Sequence, residues 1–328
     1  MFIIDDQLHW SASDLTTAAV CEYALLRRLD DAMGWSPKVA AAEDPLQAHI
    51  ARLGIAHEER ILTSWQQDRD VAVLDHVPAP FSRGGIDSAR SATLAAFRSE
   101  ADVLYQATFC DGEFFGYADF VERADDGWRV CDAKIARSAK PKALIQLGAY
   151  ANQIQRAGLP LSSTVSLLLG DGARADFPVA DVLPVLEERT ERLRALIAEH
   201  RAGGVAVTWG DDRYVACSRC PECERAATDA NDLILVAGLR TEQRRKIRSC
   251  GIHAVGELAS ATASPAGMRQ ATFDQLRSQA AMQWQQMQAG GDVSYELIDG
   301  AAETLGRLPA PSPGDVFFDF EGDPLYDE

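Results

Sequence analysis

Gly116-Tyr117-Ala118-Asp119-Phe120-Val121-Glu122-Arg123-Ala124-Asp125-Asp126-Gly127-Trp128-Arg129-Val130-Cys131-Asp132-Ala133-Lys134-Ile135 is the stretch that decides the fold. Two runs rich in Val, Phe, Tyr and Trp flank Asp125-Asp126, with Gly127 next, which is the signal of a tight β-hairpin. Pairing Ala124 with Gly127 sets Val121 opposite Val130, Asp119 opposite Asp132 and Tyr117 opposite Lys134. Directly opposed Cβ atoms lie about 4.5–5.5 Å apart. Two carboxylates at that distance repel unless a positive group sits between them. A divalent cation is the natural neutraliser, and oxygen ligands suit Mg²⁺ or Mn²⁺. Lys134 lies two residues beyond Asp132, on the same side of the strand. An ammonium there can orient a water and steady the charge of a phosphodiester under attack. On an exposed hairpin these charges would simply be solvated. Here Tyr117, Val121, Val130 and Cys131 make both faces look buried, where unpaired charge is costly.

Working outward, Val103 to Phe109 reads as a preceding strand. Pro141 opens a helix through Ile145, Tyr150 and Ile154, and Thr164 to Leu169 is a buried strand. Gly170-Asp171-Gly172 turns into a short strand ending at Val179, and residues 181–202 form a long amphipathic helix. Upstream, residues 11–33 read as one helix capped by Ser13 or Asp14. Asp44-Pro45 starts a second, with Ile50, Leu53, His57, Ile61 and Leu62 along one face. Residues 81–97 are undecided between helix and strand. This order predicts an α/β sandwich, a central mixed sheet flanked by helices.

Cys217, Cys220 and Cys223 form C-x2-C-x2-C, three thiols too close together to be mere packing residues. Cys21 is the best fourth ligand and Cys250 a weaker one. Cys110 and Cys131 read as buried thiols. Four thiolates bind Zn²⁺ or an iron–sulfur cluster; one remote cysteine with a compact trio favours a [4Fe–4S] cluster, with Zn²⁺ as the alternative. Gln146 and Tyr150 share a helix face and can contact a phosphate or a water. His57 is either a satisfied core histidine or a further metal ligand.

His57, Gly116-Tyr117-Ala118-Asp119, Asp132-Ala133-Lys134, Gln146 with Tyr150, and Cys21 with the cysteine trio together resemble the RecB/Cas4-type nucleases of the PD-(D/E)xK superfamily. The resemblance spans about residues 11–225 and is nearest to the helicase-associated RecB-like nucleases. It implies a PD-(D/E)xK restriction-endonuclease-like core and a metal held by His57, Asp119, Asp132 and the Ala133 carbonyl. It further implies Lys134 at the attacking water, a structural [4Fe–4S] cluster, and cleavage of single-stranded DNA or DNA ends. The sequence departs from the family pattern in having Asp, not Glu, at position 132, and in the tight Cys220–Cys223 spacing.

Residues 226–300 read as a small helical domain. Arg240 to Arg248 carries five basic residues against one acid, then Ser249-Cys250-Gly251 and a second helix from Val255. That order resembles a helix-hairpin-helix element, with Arg244, Arg245, Lys246 and Arg248 as DNA contacts; a solvated basic helix is the equal alternative. Residues 301–328 read as a linker and a strand, Val316 to Phe320. There Asp319 and Glu321 resemble the first motif of a DEDD-type exonuclease. The rest of such a site would lie past Glu328, so a helicase or exonuclease module is expected in a longer protein.

The net charge of −17 argues against a nonspecific DNA coat, because phosphate binding rests on Lys and Arg. It leaves room for a cleft lined by a few basic residues. No apolar run reaches the roughly 18 residues needed to span a bilayer. Met1 to Trp10 lacks a basic flank and is no signal peptide, so a cytoplasmic location is expected. A metal-dependent deoxyribonuclease is the leading expectation. A silent nucleic-acid-binding scaffold and a zinc-stabilised variant are the alternatives.

Overall fold

In the computed structural model the hairpin has the expected register: Ala124 opposes Gly127, Val121 opposes Val130 and Phe120 opposes Cys131. The described residues are 1–39, 44–290, 293, 295–297 and 299–319. The chain divides into two units, Met1–Ala230 and a second beginning at Asn231. The boundary falls beyond the expected 225/226 because the helix Pro221–Asp229 carries Cys223, which packs with Cys21 and Tyr23.

The first unit opens with a small hairpin, β1 (Phe2–Ile4) and β2 (Gln7–His9). Asp5 and Asp6 turn it at φ 50° and 62°. Helices α1 (Ala12–Val20) and α2 (Glu22–Ala32) follow. The single helix expected over 11–33 is thus broken at Cys21, which is extended at φ −152°, ψ 100° and caps α2 by accepting from the Ala24 N–H. Next come α3 (Pro45–Trp65), β3 (Val71–Val73) and α4 (Arg83–Phe97). Asp44 caps α3 through the Leu46 and Gln47 N–H groups, with Pro45 at the first turn. Strands β4 (Val103–Asp111), β5 (Phe114–Ala124) and β6 (Gly127–Lys134) lead to α5 (Pro141–Arg156). Strands β7 (Thr164–Leu169) and β8 (Arg174–Pro178), then α6 (Val179–Gly203) and α7 (Pro221–Asp229), complete the unit.

The main sheet runs β3-β4-β5-β6-β7-β8. The β3–β4 and β6–β7 pairs are parallel and the other pairs antiparallel. This is an α/β fold with a six-stranded mixed sheet flanked by helices. Alternation along the strands separates two apolar faces. Val103, Phe120, Cys131 and Leu168 pack against Ile61, Leu62 and Trp65 of α3. Leu104, Val121, Val130 and Leu167 pack with Leu147 and Ile154 of α5 and Leu193 of α6.

The second unit holds α8 (Thr241–Arg248), α9 (Val255–Ser260) and α10 (Gln270–Gln288) around Leu233, Ile247, Leu258 and Phe273. Gly251, at φ 80°, makes the turn between α8 and α9. The expected helix, glycine turn and helix are therefore present. The 301–315 segment is not all linker, since α11 (Ala301–Leu305) lies within it. No strand forms over residues 316–319, where Val316, Phe317 and Phe318 are exposed; strand composition alone does not make a strand without a sheet to join. Phe320 and Glu321 lie outside the described residues, and with them half of the expected exonuclease motif. Among the described residues no helix is long and apolar enough to cross a membrane.

Candidate functional site

Asp119 and Asp132 occupy the opposed positions just past the last regular pair of the β5–β6 ladder, Phe120 and Cys131. The Ala133 N–H donates to Asp119 Oδ2 at 3.1 Å, tying the two strands at this point. On the other flank of β5 the ladder is also interrupted. Tyr105 pairs with Phe120 and Ala107 with Ala118, while Gln106 between them has φ 58°. A left-handed conformation is uncommon for a residue with a side chain and marks a locally strained backbone. The carboxylates therefore sit where the sheet stops being regular.

Asp132 is 2% exposed, and neither of its carboxylate oxygens has a hydrogen-bond partner. Lys134 Nζ forms an ion pair with Oδ2 at 2.5 Å. That contact engages one of the two carboxylate oxygens, so Asp132 keeps acceptor capacity in a buried place, which a cation can satisfy. Burial, and then the nearby Asp132 charge, push Asp119 up to about 7, against the pull of Lys134 and the Ala133 N–H. Burial also raises Asp132, with Lys134 opposing. The two share the frustration expected of facing acids in a buried place.

Tyr150 points its hydroxyl at this end of β5. A Cβ on Gly116 would stand 2.9 Å from the Tyr150 oxygen, so glycine is needed there for the ring to approach. Burial and the Asp119 and Asp132 charges raise Tyr150, so it stays a neutral donor. Gln146, Tyr150, Tyr117 and Lys134 line a cleft of about 810 Å³ together with Lys140 and Lys142. Asp119 and Asp132 are not themselves part of its lining.

His57 is buried, and its Nε2 lies 3.2 Å from the Leu168 carbonyl. His57, Asp119 and Asp132 do not bring their ligand atoms within 4.8 Å of one another; among the described residues the cysteine group alone does so. The imidazole of the expected ligand set is thus engaged with the backbone of β7. Its neighbour Glu58 takes the place beside the carboxylates. Glu58 accepts from Gln106 Nε2 at 2.5 Å, and His76 Nε2 lies 2.8 Å from Gln106 Oε1. Burial and then the Asp119 charge raise Glu58, while Tyr105, Gln106 and Lys134 lower it. Sequence reasoning missed Glu58. Helical spacing puts His57 and Glu58 on adjoining faces, and nothing in His57-Glu58-Glu59 distinguishes the inward acid from its neighbour.

The second cluster is the four cysteines. Cys21 Sγ lies 3.5 Å from Cys223 Sγ and 3.9 Å from Cys220 Sγ, and Cys217 Sγ lies 4.0 Å from Cys223 Sγ. All four sulfurs fall within 4.8 Å of one another. The break between α1 and α2 delivers Cys21 to this group, and its sulfur accepts from the Ala24 N–H at 3.3 Å and the Cys217 N–H at 3.4 Å. The Cys223 thiol first, then those two N–H groups, pull Cys21 down to about 5 against desolvation. Burial pushes Cys220 up to about 12. A group that stabilises one thiolate among several close thiols is suited to a metal, which binds thiolate rather than thiol. Cys110 is half-buried rather than buried, Cys131 is fully buried, and Cys250 is exposed on the second unit.

The expected DNA contacts of the second unit have internal partners. Arg244 grips Asp232 through two hydrogen bonds of 2.8 and 2.6 Å. Arg245 pairs with Glu242, and Lys246 donates to the Gly267 carbonyl at 3.3 Å. Arg248 also has a partner.

No family model and no curated protein matches this chain.

Proposed function

We propose that the first unit is a divalent-metal-dependent phosphodiesterase acting on single-stranded DNA or DNA ends, on a core of the PD-(D/E)xK kind. The observation that carries the reading is the pair Asp119 and Asp132, facing across β5–β6 with Lys134 beside them and with acceptor capacity left on Asp132 in a buried place. Oxygen donors of this kind suit Mg²⁺ or Mn²⁺. Asp119, Asp132 and the Ala133 carbonyl would hold the ion, with Glu58 as an acid at its edge. His57 would join only by leaving the Leu168 carbonyl. A divalent ion there lowers the pKa of a bound water and neutralises charge on phosphate.

The protein's own groups do the rest. Lys134 faces the cleft and donates to a phosphate oxygen as negative charge builds. Tyr150 and Gln146 donate to the strand and fix its position. Lys140 and Lys142, at the start of α5, draw phosphates to a cleft in an otherwise acidic protein. The test is cleavage of a labelled single strand with Mn²⁺ or Mg²⁺, abolished in Lys134→Ala. Tight DNA binding without cleavage in any metal would favour the silent-scaffold reading instead.

The cysteine group is a metal centre that fastens α2 to the segment before α7. Its spacing favours a single ion: a tetrahedron with metal–sulfur bonds of about 2.3 Å has sulfur–sulfur edges of about 3.8 Å, against 3.5, 3.9 and 4.0 Å for three of the pairs here, with all four sulfurs within 4.8 Å of one another. Zn²⁺ is the first choice on that ground. A [4Fe–4S] cluster, which the sequence spacing and the family resemblance favour, interposes several irons and needs the sulfurs to move apart. Metal and sulfide analysis of purified protein separates the two.

A further inference from the structure

The cleft extends past Lys134 and Tyr117. Its lining continues from Tyr117 through Phe115 to Phe2, His9, Trp10 and Phe81. These rings form a connected wall. Phe115 meets Tyr117 edge-on at 5.3 Å, Phe2 contacts Phe115 at 5.4 Å, and Phe81 lies 5.0 Å from Phe115. The hairpin β1–β2 that carries Phe2 and His9 is fixed by Arg83, which donates to Asp5 and Gln7.

Two polar atoms in this wall lack partners. Trp10 Nε1 and His9 Nδ1 are both buried with no hydrogen bond. The Trp10 backbone is held on both sides: its main-chain N–H donates to the Glu113 carbonyl at 2.8 Å and its carbonyl accepts from the Phe115 N–H at 2.9 Å, while its ring abuts Phe114. The His9 ring is stacked on Phe2 at 5.1 Å. Burial first, then Arg83, lowers His9, so the imidazole is neutral at neutral pH. An indole N–H can only donate, and leaving one buried and unpaired is costly. A wall of aromatic rings with an unpaired donor fits a flat heterocycle that bears acceptors. Lysines on the same cleft fit the phosphates joined to it.

We propose that this part of the cleft is a nucleobase subsite, where an unstacked base of a single DNA strand lies against Phe2, Phe81 and Phe115 and accepts a hydrogen bond from Trp10 Nε1. Its phosphates run toward Lys134, Lys140 and Lys142. The subsite rests on the reading of the cleft as a phosphodiester site, and it makes that site select strands whose bases are free. A duplex keeps its bases stacked and cannot offer one. Every DNA base carries at least one acceptor, a ring nitrogen or a carbonyl oxygen such as thymine O2 or O4, so the contact selects single strands without reading sequence.

Fluorescence anisotropy in EDTA tests it without cleavage. Labelled oligothymidylate and an abasic strand of equal length are titrated with the full chain. The wild type is expected to bind oligothymidylate at least about fivefold more tightly. Trp10→Phe should lower that affinity about fivefold and leave abasic binding unchanged. Equal affinity of the wild type for the two strands overturns the subsite, whether or not the variant folds. A Trp10→Phe variant that binds oligothymidylate as the wild type does overturns the hydrogen bond, and a water then satisfies the indole. Tighter, base-dependent binding of oligouridylate overturns the DNA assignment. Base-dependent binding together with no cleavage in Mn²⁺ would keep the subsite and remove the phosphodiesterase reading.

Discussion

Asp119 Oδ2 accepts the Ala133 N–H at 3.1 Å, so a side chain of β5 is fastened to the backbone of β6 beside Asp132. The bond holds two buried acids face to face, and most of the protein's testable behaviour follows from that placement.

Stability without metal should depend on pH through Asp119. Its carboxyl titrates at about 7 when folded and at about 4 when unfolded. Between those values the folded chain binds more protons, so metal-free stability falls as pH rises and is lowest above about 7. Asp119→Asn keeps an oxygen for the Ala133 N–H and removes the charge. We expect it to raise Tm in EDTA at pH 8 and to change Tm little at pH 4, by differential scanning calorimetry. Mn²⁺ should raise wild-type Tm more at pH 8 than at pH 6, because it competes with that proton.

Glu58 should matter for the metal. Glu58→Gln preserves shape and removes an acid that feels the Asp119 charge. Titration calorimetry is expected to show Mn²⁺ affinity reduced by roughly 10–100-fold, the usual effect of losing a group that supports a metal site. Glu59→Gln, on the exposed side of α3, should leave it unchanged. Equal affinity for both variants would remove Glu58 from the centre.

The cysteine centre should hold the fold closed. Cys21→Ser is expected to lose the metal and to speed hydrogen exchange together in α2 and around Cys217 to Cys223. Loss of exchange protection near Cys217 alone, with α2 unchanged, would show that Cys21 is not a ligand.

Arg244 and Arg245 should part company. Arg244→Ala leaves Asp232, 5% exposed, without its main cation. Removing one partner of such a pair costs up to about 3 kcal/mol. Arg245→Ala removes an exposed contact worth less than about 1 kcal/mol. Chemical denaturation monitored for the second unit separates them. Similar effects on stability would contradict the structural role of Arg244.

The sequence was most legible where a local rule fixed geometry. Asp125-Asp126-Gly127 set the hairpin register, and that register put Asp119 opposite Asp132 without any knowledge of the sheet. Asp44-Pro45 set the start of α3 in the same way. Legibility failed where tertiary contacts override local pattern. The apolar periodicity of 11–33 runs straight through Cys21, and the break appears only because that thiol meets three cysteines nearly 200 residues later. The β1–β2 hairpin is short, but its Asp5-Asp6 turn between Ile4 and Gln7 was a usable signal. Glu58 had none, since its role depends on Gln106 adopting φ 58° on another strand. Val316 to Phe318 has strand composition yet forms no strand.

The shared cation between Asp119 and Asp132 can be located directly. A crystal of the full chain soaked in Mn²⁺ and measured at the manganese absorption edge gives an anomalous map. The account predicts a peak between the two carboxylates, within bonding distance of both, that disappears in Asp132→Asn. A map with no peak there, at a Mn²⁺ concentration that supports cleavage, would contradict it.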